Sequence, residues 1–324
     1  MRYTDALQLL IASTFAASLA PAAGRAQQLN PAQPLTFIVA FAPGGVADGI
    51  ARIIGQKLGD RLGLRVVVEN RAGAGGNLAA KIAASAEPDG HTILATTTAI
   101  AINETLYKNK GYETAELQAI AVAASTPEVL AVNPSTRTKT LKEFVEAFKD
   151  KSVTFASAGV GSGSYIAAEY FFRTQAPLKL VHVPFQGGAP AVNAAVGNHV
   201  DLLAISLPSV ASQINQGALR GIAIAASARK PVVPDVPTYA EAGYPEFIAS
   251  SWVAFLTSAK VEKAIVRHLN KVIQEILMEP TIDDRLRGLG FEPLFNSSDA
   301  ADALVRSEIR HWGEMVRAIN SDLR

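Results

Sequence analysis

Phe37 to Asp48 reads Phe-Ile-Val-Ala-Phe-Ala-Pro-Gly-Gly-Val-Ala-Asp, an apolar strand that runs through Pro43-Gly44-Gly45 straight into an amphipathic helix. A helix start carries backbone N–H groups with no intrahelical acceptor, and the helix dipole favours an anion there. Two glycines let a ligand approach the main chain closely, and no lysine or arginine stands within the turn. The residues Ala42, Pro43, Gly44 and Gly45 therefore form a candidate cradle for a carboxylate or, second, a phosphate. Gln186-Gly187-Gly188 is another amide-rich turn between a strand and a helix, with Gln186 and Gly187 as candidate contacts. Thr97, in Thr96-Thr-Thr98, ends a strand at the same edge as the first cradle, where open α/β sheets bind ligands. Asp201 opens a strand and offers an acceptor to a ligand amine or hydroxyl, or serves only its turn. Asp48 reads as a first-turn helix acid and not as a contact, because it would repel a carboxylate.

Other chemistries have little support. The histidines His91, His182, His199, His268 and His311 are scattered with no His-x-x-x-His pair, and there is no cysteine, so no metal site or cofactor is expected. No Gly-x-Ser-x-Gly elbow or Walker loop occurs, and Gly159-Val-Gly-Ser-Gly163 lacks the lysine of a phosphate loop. A Ser-His-Asp group assembled in space is left as a distant hydrolase alternative. His182 lies in an apolar strand and reads as a satisfied core residue.

The elements that must position these turns alternate along the chain. Strand-like apolar runs at 35–39, 65–69, 92–96, 129–132, 153–157, 180–184, 201–206 and 219–225 are interleaved with helix-like segments near 47–62, 77–86, 141–148, 164–175, 189–196 and 209–216. The runs are apolar on both faces, as buried parallel strands are, so the class is α/β. The tail differs, with helices at 261–278, 281–289 and 298–320, the last expected to pack on the first lobe. Turn-rich breaks at Pro134–Thr140 and Pro231–Pro237 bracket a middle segment. One domain interrupted by another gives two lobes, 29–131 plus 248–324 and 132–247, joined by a hinge with two chain crossings around a cleft.

The compartment follows from the N-terminus. Residues Leu9 to Leu19 are almost all apolar or small, and Ala22-Ala-Gly-Arg-Ala26 has small residues at the positions a signal peptidase reads, so a secretory signal is expected over 1–26. Its removal leaves 28 basic against 28 acidic side chains. A neutral chain argues against nucleic acid or an anionic membrane as partner. A freely diffusing monomer of the periplasm is expected, and the absence of cysteine agrees.

Seven stretches occur together in one order: Phe41-Ala-Pro-Gly-Gly-Val-Ala-Asp48-Gly-Ile-Ala-Arg52, Val68-Glu-Asn-Arg-Ala-Gly-Ala-Gly-Gly76, Pro88-Asp-Gly-His-Thr92, Ser157-Ala-Gly-Val-Gly-Ser162, Val183-Pro-Phe-Gln-Gly187, Asp235-Val-Pro-Thr238 with Glu241-Ala-Gly243, and Trp252. In these the chain resembles the periplasmic solute-binding proteins of the tripartite tricarboxylate transporters, the Bug receptors, over essentially its whole length beyond the leader. The resemblance implies a two-lobed, Venus-flytrap fold that closes over a small carboxylate and presents it to the permease components of a tripartite transporter. A receptor feeding a membrane sensor kinase needs the same cleft and is the alternative.

Members of that family hold a carboxylate chiefly with backbone amides and waters from one Gly-containing loop in each lobe. Carried onto this sequence, the second loop offers Ser157, Gly159, Gly161, Ser162 and Ser164, beside Ala42 to Gly45 in the first. Hydroxyls and amides bind an anion without the cost of burying a lysine. Tyr165 stands where relatives commonly carry histidine, and Phe185 where they carry tyrosine. These exchanges favour a mono- or dicarboxylate with an apolar body over citrate. Ala72 replaces a usual proline and bears on loop stiffness alone.

Overall fold

The structure is a computed structural model and describes residues 29–245 and 247–320. The expected signal segment lies outside the described residues. Strand β1 (Leu35–Val39) leads into helix α1 (Val46–Leu62), β2 (Val66–Asn70) into α2 (Asn77–Ala84), and β3 (Thr92–Thr97) into α3 (Ala99–Leu106). A long strand β4 (Leu117–Val132) and helix α4 (Leu141–Phe148) follow. The strand-to-helix pattern then repeats with β5 (Ser152–Ser157) and α5 (Gly163–Thr174), β6 (Lys179–Pro184) and α6 (Gly188–Val196), and β7 (Leu202–Ser206) and α7 (Leu207–Asn215). After β8 (Arg220–Ile224) and β9 (Ser250–Ser258) come α8 (Lys263–Leu277), α9 (Pro280–Gly288), the short β10 (Glu292–Pro293) and α10 (Ser298–Asn320).

The strands run in the order β2-β1-β3-β9-β4-β7-β5-β6, with β8 and β10 also paired to β4. Parallel pairing joins β1 to β2 and β3, and β5 to β6 and β7. The sheet is mixed, because β4 pairs antiparallel with β7, β8, β9 and β10, and β9 antiparallel with β3. The run expected at 129–132 is only the end of β4. Its first eleven residues pair with β9, down to Pro127 opposite Ser250, and from Glu128 onward it pairs with β7 and β8. Proline has no N–H to give to a ladder, so Pro127 suits the point where the strand changes partners. The returning chain crosses beside it, with Glu128 N donating to Ala249 O (3.0 Å) and Ala249 N to Ala225 O (3.2 Å). The fold is thus α/β and two-lobed, with its two crossings side by side.

Three apolar clusters form the core among the described residues. One lies between α1, α8 and the first sheet, and a second between α6, α7 and the second sheet. The third runs through both halves and includes Phe155, Phe171, Trp252 and Trp312. Helix α10, expected on the first lobe, packs there against α3 and β4 and also against α5 of the other half. Trp252 of β9 and Trp312 of α10 each donate an indole N–H to Glu308 at 2.9 Å, which pins the helix to the sheet.

Candidate functional site

Four strands, β1, β5, β6 and β7, pass into helices whose starts line one cleft, and β3 adds Thr97 at its end. Its wall carries Gly45, Val46 and Ala47 from α1, Gly163 and Ser164 from α5, Gly188 from α6, and Ser209 from α7. Among the described residues, the N–H groups of Gly45, Val46, Ala47, Gly163 and Ser164 meet no protein acceptor. They are the orphan donors of two helix starts, one from each half, and they face each other. Thr97, Ser162, Ser206 and Ser251 add hydroxyls, Phe41 and Ile205 add apolar surface, and no charged side chain reaches the wall. The cleft has an empty volume of ≈ 380 Å³, counting the part open to solvent. Such a wall offers donors and positive helix ends to an anion without an ion pair.

The halves are in contact around it. Ala42 N donates to Gln186 O across the cleft at 2.9 Å. A Cβ at Gly161, where φ is +87°, would lie 2.4 Å from Asn103 Oδ1 of the opposite half, and one at Gly75 2.6 Å from Val160 O. Only glycine permits this closeness at positive φ.

Of the sequence-derived residues, Gly45, Thr97, Ser162 and Ser164 lie on the wall. Ser162 caps α5, accepting from Tyr165 N (3.2 Å) and donating to Gly159 O (2.7 Å), and its hydroxyl meets that of Ser164 at 3.1 Å. Gly159, with φ +116°, supports the turn, since a Cβ there would stand 2.5 Å from Phe185 O. The remainder of the first cradle is engaged elsewhere. Ala42 N is taken by Gln186, and Gly44 N donates to Asp48 Oδ2 at 3.0 Å. Pro43 has no N–H to offer. Asp48 also accepts from Arg52 and Asn70, so it fixes the loop from behind. Burial raises its pKa, but the bonds from Arg52, Gly44 and Asn70 together outweigh that and hold it below the ordinary value.

Gln186 has an exposed side chain and Gly187 precedes the wall residue Gly188. Asp201 is a correction: it accepts from Thr154 N (2.9 Å) and Thr154 Oγ1 (2.6 Å) at the start of β7, whereas the cleft lies at the other end of that strand. A strand alternates and extends at ~3.3 Å per residue, so Asp201 and Ser206 are on the order of 16 Å apart.

Ser157 is buried, and its hydroxyl meets His182 Nε2 at 2.8 Å. The imidazole packs against both Phe155 and Tyr165, with centroids 4.7 and 4.4 Å away, and burial lowers its pKa to about 4. No carboxylate pairs with its Nδ1 among the described residues. Such a histidine is a poor general base, and Ser157 serves the turn by accepting from Gly159 N (3.1 Å). Tyr165 therefore packs against His182, and Phe185 against the cluster under α6, both off the cleft wall. A ligand preference argued from those two rings loses its footing.

Val46, Ala47, Gly163, Gly188, Ser206, Ser209 and Ser251 were not foreseen. For Ser206 and Ser209 a signal existed: Ser-Leu-Pro-Ser closes an apolar strand and places proline in the first turn of a helix. Ser251 arrives from a remote strand and has no local signature.

Beneath the wall lies a group that sequence reading missed entirely. Glu128 is 5% exposed, and its carboxylate accepts from Ser206 Oγ (3.1 Å to each oxygen) and from Ser251 Oγ. Thr98 Oγ1 meets Ser251 Oγ at 3.2 Å. Burial pushes the Glu128 pKa up to about 7, and the hydrogen bonds from Ser251 and Ser206 offset only part of that.

The family model described as the tripartite tricarboxylate transporter family receptor matches residues 50–321. Protein BugT of Bordetella pertussis is 33% identical over 98% of both chains. MatC from Rhodopseudomonas palustris, solved with bound malate, is 31% identical, with a TM-score of 0.83 over 89% of this chain and all of that one. Rpa4515 of R. palustris, solved with adipate, is 27% identical, with a TM-score of 0.86 over 90% of this chain and 98% of that one. Family and structural neighbours are substrate-binding receptors and not enzymes. With these matches over most of its length, the chain belongs to the tripartite tricarboxylate transporter receptor family.

Proposed function

We propose that this protein is a periplasmic receptor that captures a small carboxylate between its lobes and presents it to the membrane components of a tripartite transporter. The observation that carries the reading is the pair of facing helix starts, α1 and α5, with unpaired amides, neighbouring hydroxyls and no charge on the wall. Amides from the two halves can engage one ligand only when the lobes are closed, so the ligand favours the closed population and the partner reads that surface. Solved relatives that hold malate and adipate support the same ligand class. The lobes on this reading are built on the two sheets and divide at Pro127/Glu128 and near Ala249. No helix among the described residues is long and apolar enough to cross a membrane, which accords with a receptor separate from its permease.

A thermal-shift screen of protein unfolded, washed free of co-purified ligand and refolded tests this against malate, adipate, citrate, amino acids, sugars and phosphate. A ligand at a hundred times its Kd stabilises by roughly 2.7 kcal/mol. Carboxylates are expected to raise the melting temperature. A response to sugars or phosphate alone would overturn the reading.

A further inference from the structure

Glu128 stands where the two halves join. It is the first residue of β4 paired in the second sheet, opposite Ser206, while Ser251 belongs to β9 of the first sheet. Its carboxyl therefore bridges a serine from each half, and both serines line the cleft. Among the described residues no lysine, arginine or histidine bonds to it. The groups packed around it are Ser251 from β9, Ser206 from β7, Thr98 at the start of α3, Gly163 at the start of α5, and Tyr239 beside β8. Tyr239 is held neutral by its own burial first and by the Glu128 charge second. Glu128 makes no ion pair among the described residues.

The hydrogen-bond sense of the two serines follows from the state of this carboxyl. An ionised carboxylate only accepts, so both hydroxyl protons must point at it, leaving lone pairs for the cleft. Those lone pairs repel a ligand carboxylate, and the buried charge adds repulsion with no counter-ion to relieve it. A protonated Glu128 donates to one serine and accepts from the other. The serine that receives its proton is then free to donate its own into the cleft.

We propose that Glu128 is the positioning residue that turns a serine hydroxyl toward the bound solute, and that it takes up a proton when a carboxylate binds. The proposal deepens the receptor reading above and rests on it. Because the bound state holds the proton more tightly than the free state, affinity falls as pH rises through the free-state value, by up to tenfold per pH unit. A ligand ammonium or hydroxyl facing the two serines in place of a carboxylate would reverse that trend.

Two arms test this. In the first, the infrared spectrum of the ligand-free protein is followed from pH 5 to 9, with Glu128→Gln as the reference. A protonated-carboxyl C=O band that vanishes around neutrality and is missing from the variant is expected; its absence at every pH in wild type overturns the proposal without touching the receptor reading. In the second, malate and adipate affinities are measured between pH 6 and 9. Wild type is expected to weaken at least tenfold, while Glu128→Gln, whose amide donates to one serine and accepts from the other at every pH, stays within about twofold. Equal pH dependence in the two proteins overturns the proposal while leaving the receptor intact. If no carboxylate binds at any pH, the receptor reading fails, and the infrared arm still decides the state of Glu128.

Discussion

Replacing Gly163 by alanine adds one methyl group to the polar floor of the cleft. An ideal Cβ there lies 2.4 Å from Ser251 Oγ, 2.9 Å from Thr98 Oγ1 and 3.0 Å from Glu128 Oε1. The backbone is outside the left-handed region, so the substitution carries no φ strain, and helix propensity alone would favour alanine by up to about 1 kcal/mol. Against this, forcing a methyl into packed surroundings costs about 1–3 kcal/mol. The expected net effect is a loss of roughly 0–2 kcal/mol, together with weaker carboxylate binding because Ser251 must turn from Glu128 and Thr98. Gly49→Ala, in the same kind of helix with nothing within 4 Å of its Cβ, supplies the control and should gain by up to about 1 kcal/mol. Urea unfolding followed by tryptophan fluorescence, with a ligand titration on each variant, makes the comparison. If Gly163→Ala gains stability as Gly49→Ala does and binds as wild type does, the account of a tightly packed hydroxyl floor is refuted.

His182 is held neutral, with a pKa near 4 in the folded chain against 6.5 ordinarily, because it is buried. Its contribution to stability is complete above pH 6.5 and is lost as pH falls from there toward 4, where only the unfolded chain gains the proton. Wild type should therefore lose more stability between pH 7 and pH 5 than His182→Phe does, as read from urea midpoints; equal losses would contradict the assignment. Glu308→Ala strands two buried indole N–H groups at a cost of about 1–3 kcal/mol each, so a loss of roughly 2–6 kcal/mol is expected, and a smaller one for Glu308→Gln. A change within about 0.5 kcal/mol for the alanine variant would mean that α10 is held by its apolar face alone.

Local pattern carried the sequence reading a long way. The helices at Leu141–Phe148 and Ser298–Asn320 and the strand at Leu35–Val39 fall where periodicity and turn residues put them. Helix α3 was missed because Ala99–Leu106 is apolar over most of its length and follows a strand with only Thr98 as a break, leaving little contrast to read. The first part of β4 was missed because in residues 119–124 four alanines dilute the strand preference of Ile120 and Val122. What made them a strand is burial beside β9, a partner more than a hundred residues away.

The sequence by itself determined the α/β class, the positions of the strand-to-helix turns, and the use of amides and hydroxyls in place of cations, because each is written within a few consecutive residues. Tertiary structure decided which of those donors remain unpaired. Ala42 is consumed by Gln186 from the other half and Gly44 by Asp48 in its own turn, while Gly45 to Ala47 stay open, so the fate of Ala42 depends on a remote part of the chain. It also decided that Ser206, Ser251 and Glu128, from three separate strands, form one buried polar unit under the cleft. A buried carboxyl without a counter-charge leaves no mark on local sequence, since its properties come from what the fold excludes around it: water and positive charge.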